Sequence, residues 1–207
     1  MKPLLVALAI FLMFTPHLSH AASPPDYLAK ERFELRLRAL GVIPQEKSDV
    51  NIGGDVKVSN AITPEVDLTY FLTPNIATEI IAGTARHTLS HSSGPTLGQT
   101  WILPPTVTVQ YHFLPEEKFN PYLGVGLNYS IFYHENTTGA FSDLNISNGF
   151  GPVAQVGFDY WINKNWGLNL DIKKIWLNVD ASLNNGAVKA DVDIDPWLAG
   201  VGVAYRF

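Results

Sequence analysis

Three groups of residues in this chain carry side chains able to do chemistry. The first is Arg86-His87-Thr88-Leu89-Ser90-His91-Ser92-Ser93, where a hydroxyl and an imidazole stand close enough in sequence to make a nucleophile and its base. No Gly-x-Ser-x-Gly elbow and no third, orienting residue accompanies it, and a Ser/His-rich tract running into Gly94-Pro95 reads as a solvated loop. His87 and His91 make a poor metal pair, because a four-residue spacing puts two imidazoles on one face only in a helix. The second group is Asp191-Val192-Asp193-Ile194-Asp195, whose alternating carboxylates suggest calcium. The EF-hand register needs a glycine next and a distal glutamate, whereas Pro196-Trp197 follows. The third group is scattered: Glu34, Arg36, Arg38, Glu65, Asp67, Glu79, Asp159, Asp171, Lys173 and Arg206. These match no catalytic signature, yet six acids and four bases placed on one surface could neutralise one another if buried. The chain has no cysteine, which excludes thiolate metal sites and cysteine nucleophiles, and Walker, Rossmann and zinc-finger patterns are absent. The expectation is a protein that is not an enzyme and holds no cofactor and no metal.

The elements that must position these groups are strands, because the dominant period is two. In Phe33-Glu34-Leu35-Arg36-Leu37-Arg38-Ala39 the odd positions are apolar and the even ones charged, and a strand sends the two sets to opposite faces. The same alternation runs through 64–70, 107–113, 123–131, 154–160, 166–173 and 197–207, and more weakly through 76–85, where Glu79 marks the polar face. Eight strands result. Thr73-Pro74-Asn75 and Asn163-Lys164-Asn165 read as tight turns and Pro115 to Pro121 as a moderate one, while 41–61, 86–103, 134–149 and 179–193 read as long loops rich in Gly, Ser, Asn and Pro. Strict alternation of short and long connections predicts an all-β, eight-stranded antiparallel up-and-down transmembrane β-barrel with both termini in the periplasm.

Composition supports that class. Of 207 residues, 46% are hydrophobic and only 16% charged, but beyond the first twenty residues no apolar run reaches the roughly 18 that a spanning helix needs. The start of the chain reads as a secretory leader: Lys2, the apolar stretch Leu4 to Phe14, and a small-x-small site at Ser19-His20-Ala21 predict cleavage after Ala21 and a single barrel domain over 22–207. The balance of 19 acidic against 14 basic residues, without a basic stripe, gives nucleic acid no electrostatic footing. A β-sandwich and a lipocalin-like barrel share the period of two, and aromatic residues separate them from a membrane barrel. Tyr70, Tyr111, Phe113, Tyr160, Trp161, Trp166, Tyr205 and Phe207 gather beside the short turns, and Trp101, Tyr133, Trp176 and Trp197 lie toward the long loops. Two such girdles are expected of a barrel embedded in outer-membrane lipid and lipopolysaccharide.

From about Phe33 to Phe207 the chain resembles the outer membrane protein W (OmpW) family. The resemblance rests on Gly54-Asp55-Val56-Lys57-Val58-Ser59-Asn60, Thr73-Pro74-Asn75-Ile76-Ala77-Thr78-Glu79, Arg86-His87, Leu103-Pro104-Pro105-Thr106, Gln110-Tyr111-His112-Phe113, Pro121 to Tyr129, Asp159 to Asn163, Asp195-Pro196-Trp197 and Gly202 to Phe207. It implies a narrow barrel associated with passage of small hydrophobic solutes and with stress and surface-receptor roles. The C-terminal Phe207 resembles the signal read by the barrel assembly machinery. The resemblance also places an apolar constriction at Ile81 and, across the lumen, at Lys173, a cation where an aromatic would close the path. Lys173 could snorkel or pair with Asp171 or Asp159, and so either open a polar leak or lock the plug. Inward parity puts Leu40, Phe71, Ile81, Phe132 and Leu198 in the lumen, toward the long-loop half or near strand ends, over more deeply placed charges. Eight strands leave room for side chains or one slim ligand, so simple filling competes with conduction. The expected function is a narrow channel or binding conduit for small hydrophobic molecules. The alternatives are a structural or surface-receptor barrel and an outer-membrane lipid enzyme using His87 or Ser90.

Overall fold

A computed structural model describes residues 32–207 apart from 93, 95 and 140; the leader and its cleavage site lie outside the described residues. Eight antiparallel strands close into a ring: β1 (Phe33–Ile43), β2 (Ala61–Phe71), β3 (Ile76–Gly83), β4 (Thr106–His112), β5 (Phe119–Thr137), β6 (Gly149–Trp161), β7 (Trp166–Ile175) and β8 (Trp197–Arg206). Each pairs with its neighbours in sequence. β1 closes the ring against β8, with Glu34 opposite Arg206 and Ile43 opposite Trp197. Closure leaves the eight-stranded ring without an edge strand.

Parity decides which side chains enter the ring. On β1, Glu34 and Arg36 are fully buried, while Leu35 and Leu37 expose 42% and 52% of their surface on the outside. On β4, Thr106, Thr108, Gln110 and His112 point in, and Val107, Val109 and Tyr111 point out. A polar interior inside an apolar exterior inverts the soluble-barrel arrangement and fits a lipid-facing wall.

At one end the strands are joined by tight turns. Asn163 Oδ1 accepts hydrogen bonds from the Asn165 and Trp166 amides (3.0 and 2.9 Å), and Thr73 Oγ1 accepts from the Ile76 amide (2.9 Å). Both described chain ends lie here, at the turn end.

The opposite end departs from the sequence expectation. The four long segments are largely strands rather than loops. Ala85–His91 and Thr96–Leu103 prolong β3 and β4, and β5 runs on for 19 residues, well beyond the roughly 9–11 that span a bilayer. A separate four-stranded sheet joins Asn145–Ile146, Asn178–Leu183, Val188–Asp193 and Lys47–Val50. The cause is visible in the burial: Val50, Ile146, Val179, Ala190 and Val192 are buried in one apolar cluster, so a period of two persists beneath the Asn, Gly and Asp that read as loop. This extension end holds the main apolar cluster of the molecule.

Candidate functional site

The lumen is divided in two. Its lower part, toward the turn end, is filled by a network in which all ten scattered ionisable residues take part. Arg36 on β1 grips Asp159 on β6 with two bonds, Nε to Oδ1 at 3.1 Å and Nη2 to Oδ2 at 2.9 Å. Its Nη1 donates to Thr69 Oγ1 at 2.8 Å and to Glu79 Oε1 at 3.2 Å, and its Nη2 lies 2.7 Å from Glu34. Arg38, one inward position higher, donates to Glu65 (2.6 Å), Glu79 (2.9 Å) and Asn169 (2.6 Å), and sits 3.1 Å from Asp67. Arg206 reaches Glu34 at 3.1 Å. A guanidinium presents five donors in a planar fork, and several carboxylates around each one are what allow charge to be buried at all.

Lys173 pairs with Asp171 at 2.6 Å and with Glu65 at 3.3 Å. Asp159, the other candidate partner, is taken by Arg36 instead, because it sits deeper, at the level of Glu34 and Arg36.

Sequence parity did not single out Tyr122, yet it is one of the largest buried side chains. Its hydroxyl donates to Asp171 at 2.8 Å and accepts from Asn169 at 3.1 Å, and its ring lies 5.2 Å from the Arg36 guanidinium carbon. The signal that could have found it is Gly157 on β6, in register with it. A Cβ built there would come within 2.5 Å of the tyrosine hydroxyl, so the glycine makes the space the ring occupies. Gln155 ties the same network together, donating to Asp171 (2.7 Å) and Glu79 (2.8 Å).

Above this plug the lumen is apolar. A cavity of about 70 Å³ is lined by Leu40, Ile81, Ile102, Ile175, Leu177 and Leu198, with Lys173 and Glu65 also on its wall. Ile81 and Lys173 thus border one space, as the resemblance placed them, but the lysine is pinned by two carboxylates. Phe132 packs into the apolar cluster that surrounds the cavity. Farther out, between the extension hairpins, a second apolar cavity of about 260 Å³ is bordered by Val50, Ile52, Val56, Leu89, Leu97 and Leu183, among others. Phe71 is placed elsewhere. It ends β2 beside a tight turn, so its ring lies at the turn end against His112 (centroids 4.8 Å apart) and Arg206 (5.0 Å).

The main-chain ladder lapses beside the chamber. β2 and β3 pair only as far as Glu65 and Gly83, and Pro64 has no N–H to continue. Past that point the seam carries the Thr63 Oγ1 bond to the Thr84 carbonyl (2.5 Å), and Ile62, beside it, is 86% exposed on the outer face.

Most of the aromatic residues assigned to the girdles lie on the outer face. Tyr111, Tyr160, Trp166 and Phe207 are exposed near the turn end, Tyr70 and Tyr205 are half-buried among them, and Trp176 and Trp197 are exposed toward the other end. Trp161 is the correction: it shares the parity of Asp159 and is buried inside the lumen, under Arg206.

The clusters that might have been catalytic or metal-binding are used structurally. His87 turns inward, and its Nδ1 contacts the Ser59 carbonyl at 2.7 Å; His91 Nε2 contacts the Gly53 carbonyl at 3.0 Å. Asp191 and Asp193 are exposed and accept from the Asn178 amide, while Asp195 Oδ1 accepts from the Leu177 amide at 2.9 Å.

The model of the OmpW family matches residues 30–207. The chain belongs to the OmpW family. It is 42% identical, over 84% of its length and 80% of the relative's, to an uncharacterized outer-membrane protein, y4mB, of Sinorhizobium fredii. It is 33% identical to outer membrane protein W of Vibrio cholerae, over 92% of this chain and 95% of that one. Among solved structures, outer membrane protein OprG of Pseudomonas aeruginosa superposes with a TM-score of 0.81 at 25% identity, covering 86% of this chain and 96% of that one. This OmpW-family chain is therefore an outer-membrane β-barrel, and its family and fold are those of outer-membrane barrel proteins.

Proposed function

We propose that this barrel is a binding conduit for small hydrophobic molecules, with the extension end facing the medium and both termini in the periplasm. The observation that carries the reading is the apolar chamber closed underneath by an ion-paired plug. A chamber lined by Leu and Ile offers a hydrophobic solute the burial that drives its transfer from water, about 25 cal/mol per Å² of apolar surface, and offers a hydrated ion nothing. The outer cavity between the extension hairpins is the entrance of this path. Below the chamber the network around Arg36 and Arg38 fills the lumen, so the route does not continue down the axis. It leaves sideways at the seam between Pro64 and Gly83, where no ladder has to be broken and the membrane begins. The charge on Lys173 is matched by Asp171 and Glu65, so the chamber floor does not act as a cation lure.

The test is uptake of a small apolar fluorophore into lipid vesicles containing the refolded barrel. Ile81→Trp, which fills the chamber from its wall, is expected to reduce uptake to that of empty vesicles while the barrel still resists denaturant. Unchanged uptake in that variant overturns the reading in favour of a structural or surface-receptor barrel.

A further inference from the structure

The turn end carries a second recess that shares nothing with the apolar chamber. It measures about 510 Å³, opens at the tight turns, and has Arg32, Lys118, Lys164 and Arg206 on its walls against Glu116 and Glu117. Four cations against two carboxylates is a local reversal, since the whole chain carries more acids than bases.

Its ceiling is built from buried groups. The Arg206 guanidinium carbon lies 4.1 Å from the Trp161 ring centre and 5.0 Å from that of Phe71, so the cation is fixed between two aromatic faces. One of its nitrogens is held by Glu34 at 3.1 Å, while Nε has no partner. Trp161 is 7% exposed, and its indole Nε1 also has no hydrogen-bond partner. The atoms of Trp161 nearest the wall at Gly167 are Cε3 and Cζ3, on the long edge of the indole opposite Nε1. That edge faces the strand at Gly167, and Nε1 lies on the other edge of the ring. A buried N–H without an acceptor is costly, and native structures rarely leave one without a reason. Two unpaired donors beside a caged guanidinium, under a cationic rim, share one remedy: an acceptor that carries negative charge.

We propose that this vestibule is a binding site for a small oxyanion, a carboxylate or phosphate group seated under Arg206 and Trp161. The guanidinium supplies charge and the indole supplies direction, as charge-assisted bonds from a rigid fork do. Lys118 and Lys164, on the two turns at the rim, draw the anion in. Glu34, on the lumenal side of Arg206, keeps the ligand from passing deeper, because a second negative charge there is repelled. The site is separate from the chamber, so its failure would leave the hydrophobic conduit untouched.

The test is an NMR titration of the refolded chain in lipid nanodiscs, following the five tryptophan indole N–H signals, with Trp161 assigned by its loss in Trp161→Phe. Acetate and inorganic phosphate are the probes, at ionic strength held constant with chloride. The expected result is a saturating downfield shift of the Trp161 indole, with the outward-facing Trp166 indole unmoved. The rim variant combining Lys118→Gln and Lys164→Gln should keep the fold and need several-fold more anion for the same shift, while Arg206→Gln should abolish saturation. If Arg206→Gln fails to refold, the rim variant carries the test. Saturation by only one anion sorts the ligand into carboxylate or phosphate within the proposal. A Trp161 signal that stays in place to about 0.1 M of both anions, or moves equally with chloride, overturns it.

Discussion

The two halves of this lumen are made by the same device and do opposite things. In both, every second residue along the strands points inward. Toward the turn end those residues are Glu34, Arg36, Thr69, Glu79, Asp159 and their neighbours, with the acids and bases in contact. Toward the extension end they are Leu40, Ile81, Ile175 and Leu198, around empty space. The charged half is solid because an unpaired buried ion is far more costly than a void, so each cation draws acceptors until the space is full. The apolar half can stay open because aliphatic walls leave no bond unmade. Ion pairing therefore builds the stopper and aliphatic packing builds the chamber, and the two should fail differently when mutated.

The largest effect is expected in the plug. Arg36→Leu leaves Glu34, Asp67, Glu79 and Asp159 facing one another without their shared cation, and losing one member of a buried ionic cluster costs about 3–5 kcal/mol. Urea unfolding in lipid vesicles measures it; a loss below about 1 kcal/mol would mean the network is hydrated and the plug is not a plug. Next in size is a charge on the outside at the same level. Leu35→Arg puts a cation in the lipid-facing wall one residue from Arg36, and should cost about 2–4 kcal/mol. Equal stability of Leu35→Arg and the parent would place the wall outside the bilayer core and undo the inside-out parity on which the comparison stands.

Much of this was legible in the sequence, and the parts that were not have physical reasons. Strand β1 could be read because Phe33 to Ala39 separates apolar from charged residues at every step, and the barrel's closing pair Glu34 and Arg206 already stood out as inward charges. The extension sheet was hidden because Val188, Ala190 and Val192 alternate with Lys189, Asp191 and Asp193 in a segment whose Asn and Gly also signal turns. Trp161 follows the parity of Asp159, yet aromatic type beside a short turn suggested the girdle. Partner choice lay beyond reach. Lys173 and Glu65 are 108 residues apart, and which of six inward acids a given cation meets depends on the stagger of strands around the ring, which alternation along a strand does not encode. The vestibule was missed for a related reason: it needs Arg206, Trp161 and Phe71 from three strands at one height.

The contact between the halves is expected to show an intermediate effect. Lys173→Leu extends the apolar chamber downward but strands Asp171 and Glu65, whose remaining donors are Tyr122 and Gln155 for the first and Arg38 for the second. The loss should be about 1–3 kcal/mol, smaller than for Arg36→Leu because two acids rather than four lose a cation. Single-channel recordings in planar bilayers add a second readout. A rise in ion current in this variant would show that Lys173 helps seal the floor, whereas no change would assign the seal to the Arg36 and Arg38 levels beneath.

The smallest effect on stability should come from the chamber wall, and it sharpens the comparison most. Ile81→Val removes one methylene that faces a cavity on one side, so it loses fewer packing contacts than the same change in a filled core, where the cost is about 0.5–1.5 kcal/mol. A change at the low end of that range is expected in urea unfolding. Its effect on solute is expected to be larger than its effect on fold: the widened wall should raise uptake of a bulky apolar fluorophore relative to a slim one, while the ion current stays at the parent level, because the plug below is untouched. Arg36→Leu should show the reverse, a large stability loss with no preference between the two fluorophores among the molecules that remain folded. If Ile81→Val shifts ion current and leaves fluorophore size preference alone, chamber and plug are one continuous space, and the division between an aliphatic chamber and an ionic stopper does not hold.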